Sequence, residues 1–349
     1  MTTTTVEQPP ADERVATTSQ LRRLLIRPEV GALFGAIVVL IFFSAMSDTF
    51  RSASGIANWL DPASTLGIMA IAVALLMIGG EFDLSAGVQT ATAGLTVAIL
   101  ATKYHVNVWL SILIALVLAL AIGYFNGIMV TRTKLPSFII TLGTFLGLQG
   151  INLGVTKALT GTVLVSGVSE EGGFTSAHFL FASSVKFGSH LFKVSIVWWI
   201  LLTIGAGYLL LRSRFGNWIF ASGGDQLAAR NVGVPANRTK VQLFMGVSVA
   251  AWLVGTISVL RFTTVQANQG IGQELIYIVA AVIGGCLLTG GYGSVVGAAL
   301  GALIFGMVSQ GIVYVGWDAD WFKLFLGVML LIAVLANTYL RRYAERSRR

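Results

Sequence analysis

The sequence predicts an all-α polytopic membrane protein of about ten transmembrane helices, built as two pseudo-repeated halves with broken or re-entrant helices. Three observations carry this prediction. Apolar residues make up 55% of the 349-residue chain and charged residues only 11%, where a soluble domain carries about 25%. The apolar residues fall in long charge-free runs, not in the short alternating segments of a β-barrel. Ile-Gly-Gly occurs twice, at Ile78-Gly79-Gly80 and at Ile283-Gly284-Gly285, each time ahead of a glycine-rich helix start. So little charge cannot cover a soluble core, which excludes an ordinary soluble enzyme, a disordered chain and a coiled coil. The single cysteine, Cys286, cannot form an internal disulfide.

The charge-free runs are 30–47, 62–80, 84–102, 104–131, 135–156, 194–211, 241–260, 275–317 and 324–340. A span needs roughly 20 residues to cross about 30 Å of hydrocarbon. The run 275–317 is too long for one helix and carries a turn signal at Gly290-Gly291-Tyr292-Gly293-Ser294. Divided there, it gives ten spans. Only Glu81-Phe82-Asp83 separates the second run from the third, so these two are short spans or broken helices meeting inside the membrane. Of the 23 Lys and Arg, 16 fall in 1–29, 131–134, 212–240 and 341–349. That bias places both termini in the cytoplasm. The chain thus reads as a cytoplasmic tail over 1–29, disordered across 1–20, a single transmembrane domain over 30–340, and a basic cytoplasmic tail over 341–349. The run 30–47 is too long for a signal peptide. The external loop 157–193 is expected to carry a short helix lying on the membrane.

No phosphate-cradling Gly-Lys motif, HExxH or GxSxG occurs. The three histidines fall in predicted external loops, so neither a metal cluster nor a proton-relay histidine is expected within the membrane. The first constellation with chemistry is Gly79-Gly80-Glu81-Phe82-Asp83-Leu84-Ser85-Ala86-Gly87. A carboxylate at a helix centre costs about 2.5–3.5 kcal/mol on insertion scales. The paired glycines permit a helix break, and Asp83 or Ser85 can cap the next helix. The segment reads as a tight surface turn or as a broken helix beside a transport path. Small-residue spacings at Gly123/Gly127, Gly143/Gly147, Gly150/Gly154 and Gly293/Gly297/Gly301 indicate close helix packing, within the fold or across a dimer.

The loop 212–240 encodes a capped helix outside the membrane. Asp225 is a good N-cap, Leu227-Ala228-Ala229-Arg230 propagates helix, and Gly233 is a good terminator. A two-turn helix is marginal alone in water. Leu227, Ala228 and Val232 offer it an apolar strip for docking a cytoplasmic partner, with Arg230 at the rim.

Taken together, Gly80-Glu81-Phe82-Asp83-Leu84-Ser85-Ala86-Gly87, Asn126-Gly127 with Leu135 to Gly143, the loop Gly223 to Gly233, and Ile283-Gly284-Gly285 through Gly297 resemble the permease subunit of ribose-type sugar ABC importers, in the branched-chain amino acid/ribose permease superfamily. The motifs cover roughly residues 30–340 in the family's order. Glu81-Phe82 departs from it, since the family usually has one uncharged residue before the aspartate. The resemblance implies a dimeric bacterial inner-membrane permease importing a monosaccharide or related polyol. A cytoplasmic ATPase would dock at Gly224, Asp225, Leu227, Ala228, Ala229, Arg230 and Gly233, and an external binding protein would deliver the sugar. No cofactor is expected in the chain itself, ATP being bound and hydrolysed by the partner, and no nucleic acid is expected as partner. Candidate path residues are Glu81, Asp83, Ser85, Gln89, Thr90, Asn126, Gln149 and Asn152. Alternatives are a branched-chain amino acid or nucleoside permease, or a proton-coupled transporter with Glu81 and Asp83 as carriers. Against the last stands the expectation that no Lys, Arg or His pairs with those acids within the spans.

Overall fold

A computed structural model describes residues 28–188 and 190–346. The disordered stretch expected over 1–20 and the last three residues of the basic tail lie outside the described residues. Each charge-free run holds a helix. The order is α1 (Pro28–Met46), α2 (Asp48–Arg51), α3 (Ala53–Ile78), α4 (Ala86–Tyr104), α5 (Val108–Thr133) and α6 (Ser137–Thr160). A lobe follows, made of β1 (Leu164–Ser166), a 3-10 turn, α7 (Phe174–Phe181) and the hairpin β2 (Ser184–Phe187) and β3 (His190–Lys193). Then come α8 (Ser195–Arg212), α9 (Arg214–Gly224), α10 (Gln226–Asn231), α11 (Ala236–Phe262), β4 (Thr264–Gln266), α12 (Gln273–Ile283), α13 (Val295–Tyr314) and α14 (Trp321–Arg346). Among the described residues, seven helices are long and apolar enough to cross a membrane: α1, α3, α5, α6, α8, α11 and α13.

Two helices begin well before the predicted runs, and each takes in a paired charge. Helix α3 starts before Asp61, whose carboxylate accepts from Arg261 Nη1 at 2.7 Å, while Nη2 donates to Ser195 at 3.0 Å. Helix α11 starts before Lys240, which is 7% exposed and paired with Glu81.

The reading of 275–317 as two full spans is corrected by α12. Its 11 residues extend only about 16 Å at 1.5 Å per residue, half of what a crossing needs. Strand β4 pairs antiparallel with β1, and the chain then runs inward along α4 until Gly270 lies against Gly87 and Thr90. Helix α12 therefore begins inside the bundle, as a re-entrant half-helix.

Helix α4 is the central element. Fourteen of its 19 residues are buried, with α5, α6 and α11 packed around it. Small residues set the spacing, since Gly94 and Gly255 bring the α4 and α11 backbones together. Gly123 and Gly127 do the same between α5 and α11, as do Gly297 and Gly301 between α13 and α12. By contrast, Gly143, Gly147, Gly150 and Gly154 on α6 face open space.

The two Ile-Gly-Gly stretches adopt one backbone form. Gly79 (φ −69°, ψ −1°) and Gly284 (φ −66°, ψ −3°) end their helices. Gly80 (φ 83°) and Gly285 (φ 91°) follow in the left-handed region, which side chains avoid. Glu81 N–H returns to Leu76 O at 3.1 Å and Cys286 N–H to Ala281 O at 3.0 Å, the closing bond of a Schellman motif. A serine, Ser85 or Ser294, then stands at the N-cap position of the next helix. The internal repeat expected from three letters is thus a repeated helix break.

Candidate transport path and coupling surface

The break after α3 is held from below by α6. Ser137 Oγ accepts from Phe82 N–H and Thr141 Oγ1 from Leu84 N–H, both at 3.0 Å. Asp83 is 1% exposed. Its Oδ1 accepts from Ser85 N–H at 2.8 Å and Ser85 Oγ at 2.5 Å, and its Oδ2 from Gln89 Nε2 at 3.2 Å. Ser85 Oγ also accepts from Gln89 Nε2 at 2.7 Å and from Asn126 Nδ2 at 3.0 Å, and Thr144 Oγ1 donates to Asn126 Oδ1 at 2.6 Å. Neither Asp83 nor Ser85 caps α4 through its side chain; Asp83 instead closes the turn before it. The structure brings Asp83, Ser85, Gln89 and Asn126 into one network that ties α4, α5 and α6. Thr90 bonds back to Gly87 O at 2.7 Å.

Gln149 and Asn152 lie farther along α6. Gln149 is half-buried and Asn152 is 4% exposed. The buried residues of α6 are Ser137, Thr141, Leu148, Asn152 and Thr156, so a polar stripe faces inward while Ile139, Leu142, Leu146 and Ile151 face out. On α4 and on the inward stripe of α6, three buried polar atoms have no partner among the described residues: Gln89 Oε1, Asn152 Nδ2 and Thr156 Oγ1. An unsatisfied buried polar atom costs about 1–3 kcal/mol.

Glu81 does not join this network. It is 7% exposed and ion-paired with Lys240, and Lys240 Nζ also donates to Gln226 Oε1 at 3.0 Å. The expectation that no basic residue pairs with these acids is therefore corrected. Lys240 was hidden at the end of a charged loop.

Sequence reasoning also missed Glu274. It is 8% exposed in the first turn of α12, accepts from Gly272 N–H at 3.1 Å on both oxygens, and packs against Gly87. A glutamate just ahead of an apolar run reads as a surface residue. The available signal was Gly270-Ile271-Gly272, a second glycine-rich entry to an apolar helix.

The loop 213–235 folds as two helices. Helix α10 is the expected one, with Asp225 Oδ1 accepting from Leu227 and Ala228 N–H at 2.9 and 3.0 Å and Gly233 at φ 85° beyond its end. Leu227 and Val232 are 72% and 79% exposed, and Ala228 is exposed too. Ala229, however, is buried against the chain itself, so it is no docking residue. Arg230 donates to Asn237 Oδ1 at 2.5 Å. Helix α9 was not anticipated, although Ser213 caps it at Gly216 N–H and Ile219 anchors it in the core.

Three glycine pairs meet where α9 ends. Gly80 faces Gly223, Gly290 lies against both, and Gly291 lies against Gly224. Gly291 N–H donates to Ile78 O at 2.8 Å. No other residue fits at Gly223, where a methyl group would overlap the Ile78 carbonyl. Both repeated breaks therefore touch the loop that carries α10.

An apolar bundle with a polar seam, two repeated helix breaks and an exposed capped helix abutting them is the arrangement of a membrane permease subunit, and the chain is a multi-pass membrane protein of that class. It belongs to the branched-chain amino acid transport system / permease component family, whose profile matches residues 55–334. It is 31% identical over 310 residues to the ribose import permease protein RbsC of Escherichia coli (strain K12), covering 88% of this chain and 93% of that protein. It is 29% identical to the fructose import permease protein FrcC of Rhizobium meliloti, covering 89% and 83%. Identity is also 29% to the xylose transport system permease protein XylH of Escherichia coli (strain K12), covering 90% and 93%. No solved structure matches the chain.

Proposed function

We propose that this chain is the membrane-spanning permease subunit of an ATP-driven importer for a monosaccharide or related polyol, working as one of two copies. The observation that carries the sugar reading is the set of unpartnered buried polar atoms on α4 and on the inward face of α6. Gln89 Oε1, Asn152 Nδ2 and Thr156 Oγ1 offer both donors and acceptors, which suits hydroxyl groups. Asp83, Ser85 and Asn126 hold the wall of that path, with Gln149 and Thr90 flanking it. The names of the ribose, fructose and xylose permeases support the same substrate class. A branched-chain amino acid or nucleoside substrate is the second reading; the family's description favours the amino acid.

The energy comes from another chain. Helix α10 is proposed as the docking site for a cytoplasmic ATPase, through exposed Leu227, Ala228 and Val232, and a binding protein delivers the sugar to the opposite face. The basic bias of 16 in 23 Lys and Arg supports cytoplasmic termini. The chain itself takes no cofactor and does no hydrolysis. The open glycine face of α6 supports contact with a second copy, because small residues let helix backbones approach.

The test is uptake into proteoliposomes holding the chain, its ATPase and its binding protein. Labelled ribose, xylose and fructose are each offered, against leucine and adenosine. ATP-dependent entry of a sugar is expected. Entry of leucine or adenosine alone selects the second reading, and entry driven by a proton gradient without ATPase overturns both.

A further inference from the structure

We infer that Lys240 is a positioning residue for transport, coupling α10 to the helix break at Gly79–Ser85 through the buried Glu81 ion pair. This rests on the reading that α10 receives the ATPase. Lys240 Nζ reaches two elements at once, Glu81 in the break and Gln226 at the start of α10. Both members of the pair are buried, so the contact is little screened by salt and holds its geometry. Helix α10 has few other attachments. Leu227 and Val232 are exposed, leaving the Ala229 side chain and the bonds that Arg230 and Gln226 Nε2 donate to Asn237 Oδ1, the latter at 3.4 Å.

Downstream, the break leads directly to the polar seam. Two residues after Glu81 comes Asp83, whose network fixes α4 against α5 and α6. A shift of α10 that moves Lys240 therefore pulls on the residue next to Phe82, whose N–H is held by Ser137 on α6. The glycine contacts supply the bearing. With no side chains between Gly80, Gly223 and Gly290, the backbones can slide while the ion pair supplies the grip.

The test has two arms. In the first, the full chain in lipid nanodiscs carries spin labels at Ala228→Cys on α10 and Tyr104→Cys at the far end of α4; Cys286 is 1% exposed and stays unlabelled. The comparison variant is Glu81→Gln/Lys240→Gln, which removes both charges and leaves neither buried alone. The label distance distribution is expected to broaden in that variant and to narrow again in the charge exchange Glu81→Lys/Lys240→Glu. An unchanged distribution in the neutral variant overturns the proposal without reference to any partner. In the second arm, the variants are assembled with the ATPase and binding protein. Sugar moved per ATP hydrolysed is expected to fall roughly tenfold in the neutral variant, within the usual span of coupling effects, while co-purification persists. An unchanged ratio also overturns the proposal. Failure of the wild-type chain to bind the ATPase overturns the functional reading instead, and leaves the first arm to decide the role of Lys240.

Discussion

At Asp83 the cost of burying a carboxylate is offset bond by bond. Five donor contacts reach it or the serine it grips, from Ser85, Gln89 and Asn126. In Asp83→Asn one oxygen becomes an amide that faces the Gln89 Nε2 donor. The expected result is a loss of about 1–3 kcal/mol, read as a lower melting temperature in detergent together with reduced uptake; unchanged values for both would remove any special role for the position. Asn152 behaves oppositely. Its Nδ2 is buried without a partner, so Asn152→Leu should leave abundance and thermal stability equal or higher while uptake falls. A variant that transports normally would take Asn152 out of the path. Asp83 was legible in the sequence because a glycine pair and an acid interrupt an apolar run. Lys240 and Glu274 were not. Charges at the edge of a run look solvated, and the partner that buries Lys240 is 159 residues away.

Helix α10 was legible as an element because capping is local. Asp225 and Gly233 act within a few residues of themselves, and the helix forms between them. Which of its faces is free is a tertiary property, and there the sequence reading erred at Ala229. Leu227→Asp is expected to abolish co-purification with the ATPase while sparing the permease. Ala229→Trp is expected to lower the abundance of the permease itself, because its bulk has no room inside the chain. Equal co-purification of wild type and Leu227→Asp would show that α10 is only a connector. The half-length of α12 was legible only at one end. The glycine pair Gly284-Gly285 marked where the helix stops, but its start inside the bundle, after Gly270 has packed against Gly87, is a tertiary fact.

On the scale of the whole molecule, contacts sort the connections into two ends. His105 meets Glu171, and β1 meets β4, at one end; Glu29 bonds Ser294, and Gly80 meets Gly223, at the other. A membrane-impermeant thiol reagent applied outside cells should therefore label Ser183→Cys and spare Ala228→Cys. The reverse pattern inverts the orientation. Ser222, 3% exposed, would be a poor probe on either side. Oxidation of a Gly147→Cys variant should give a cross-linked dimer in membranes if the open face of α6 meets a second copy; a monomer alone places the interface elsewhere.

The burial of α4 also bears on how the chain is made. Gln89, Thr90 and Thr92, with Asp83 just ahead of the helix, leave α4 ill-suited to lipid, and it is absent from the helices apolar enough to cross alone. One of its walls, α11, begins only at Ala236, more than a hundred residues after α4 has left the ribosome. At about 5–20 residues per second that is a wait of roughly 7–26 seconds. During that interval α4 needs a temporary shelter, supplied by α5 and α6 or by the insertion machinery itself. Ribosome-stalled chains ending near residue 235 should accordingly keep α4 cross-linkable to the insertase, and chains extended past residue 262 should release it.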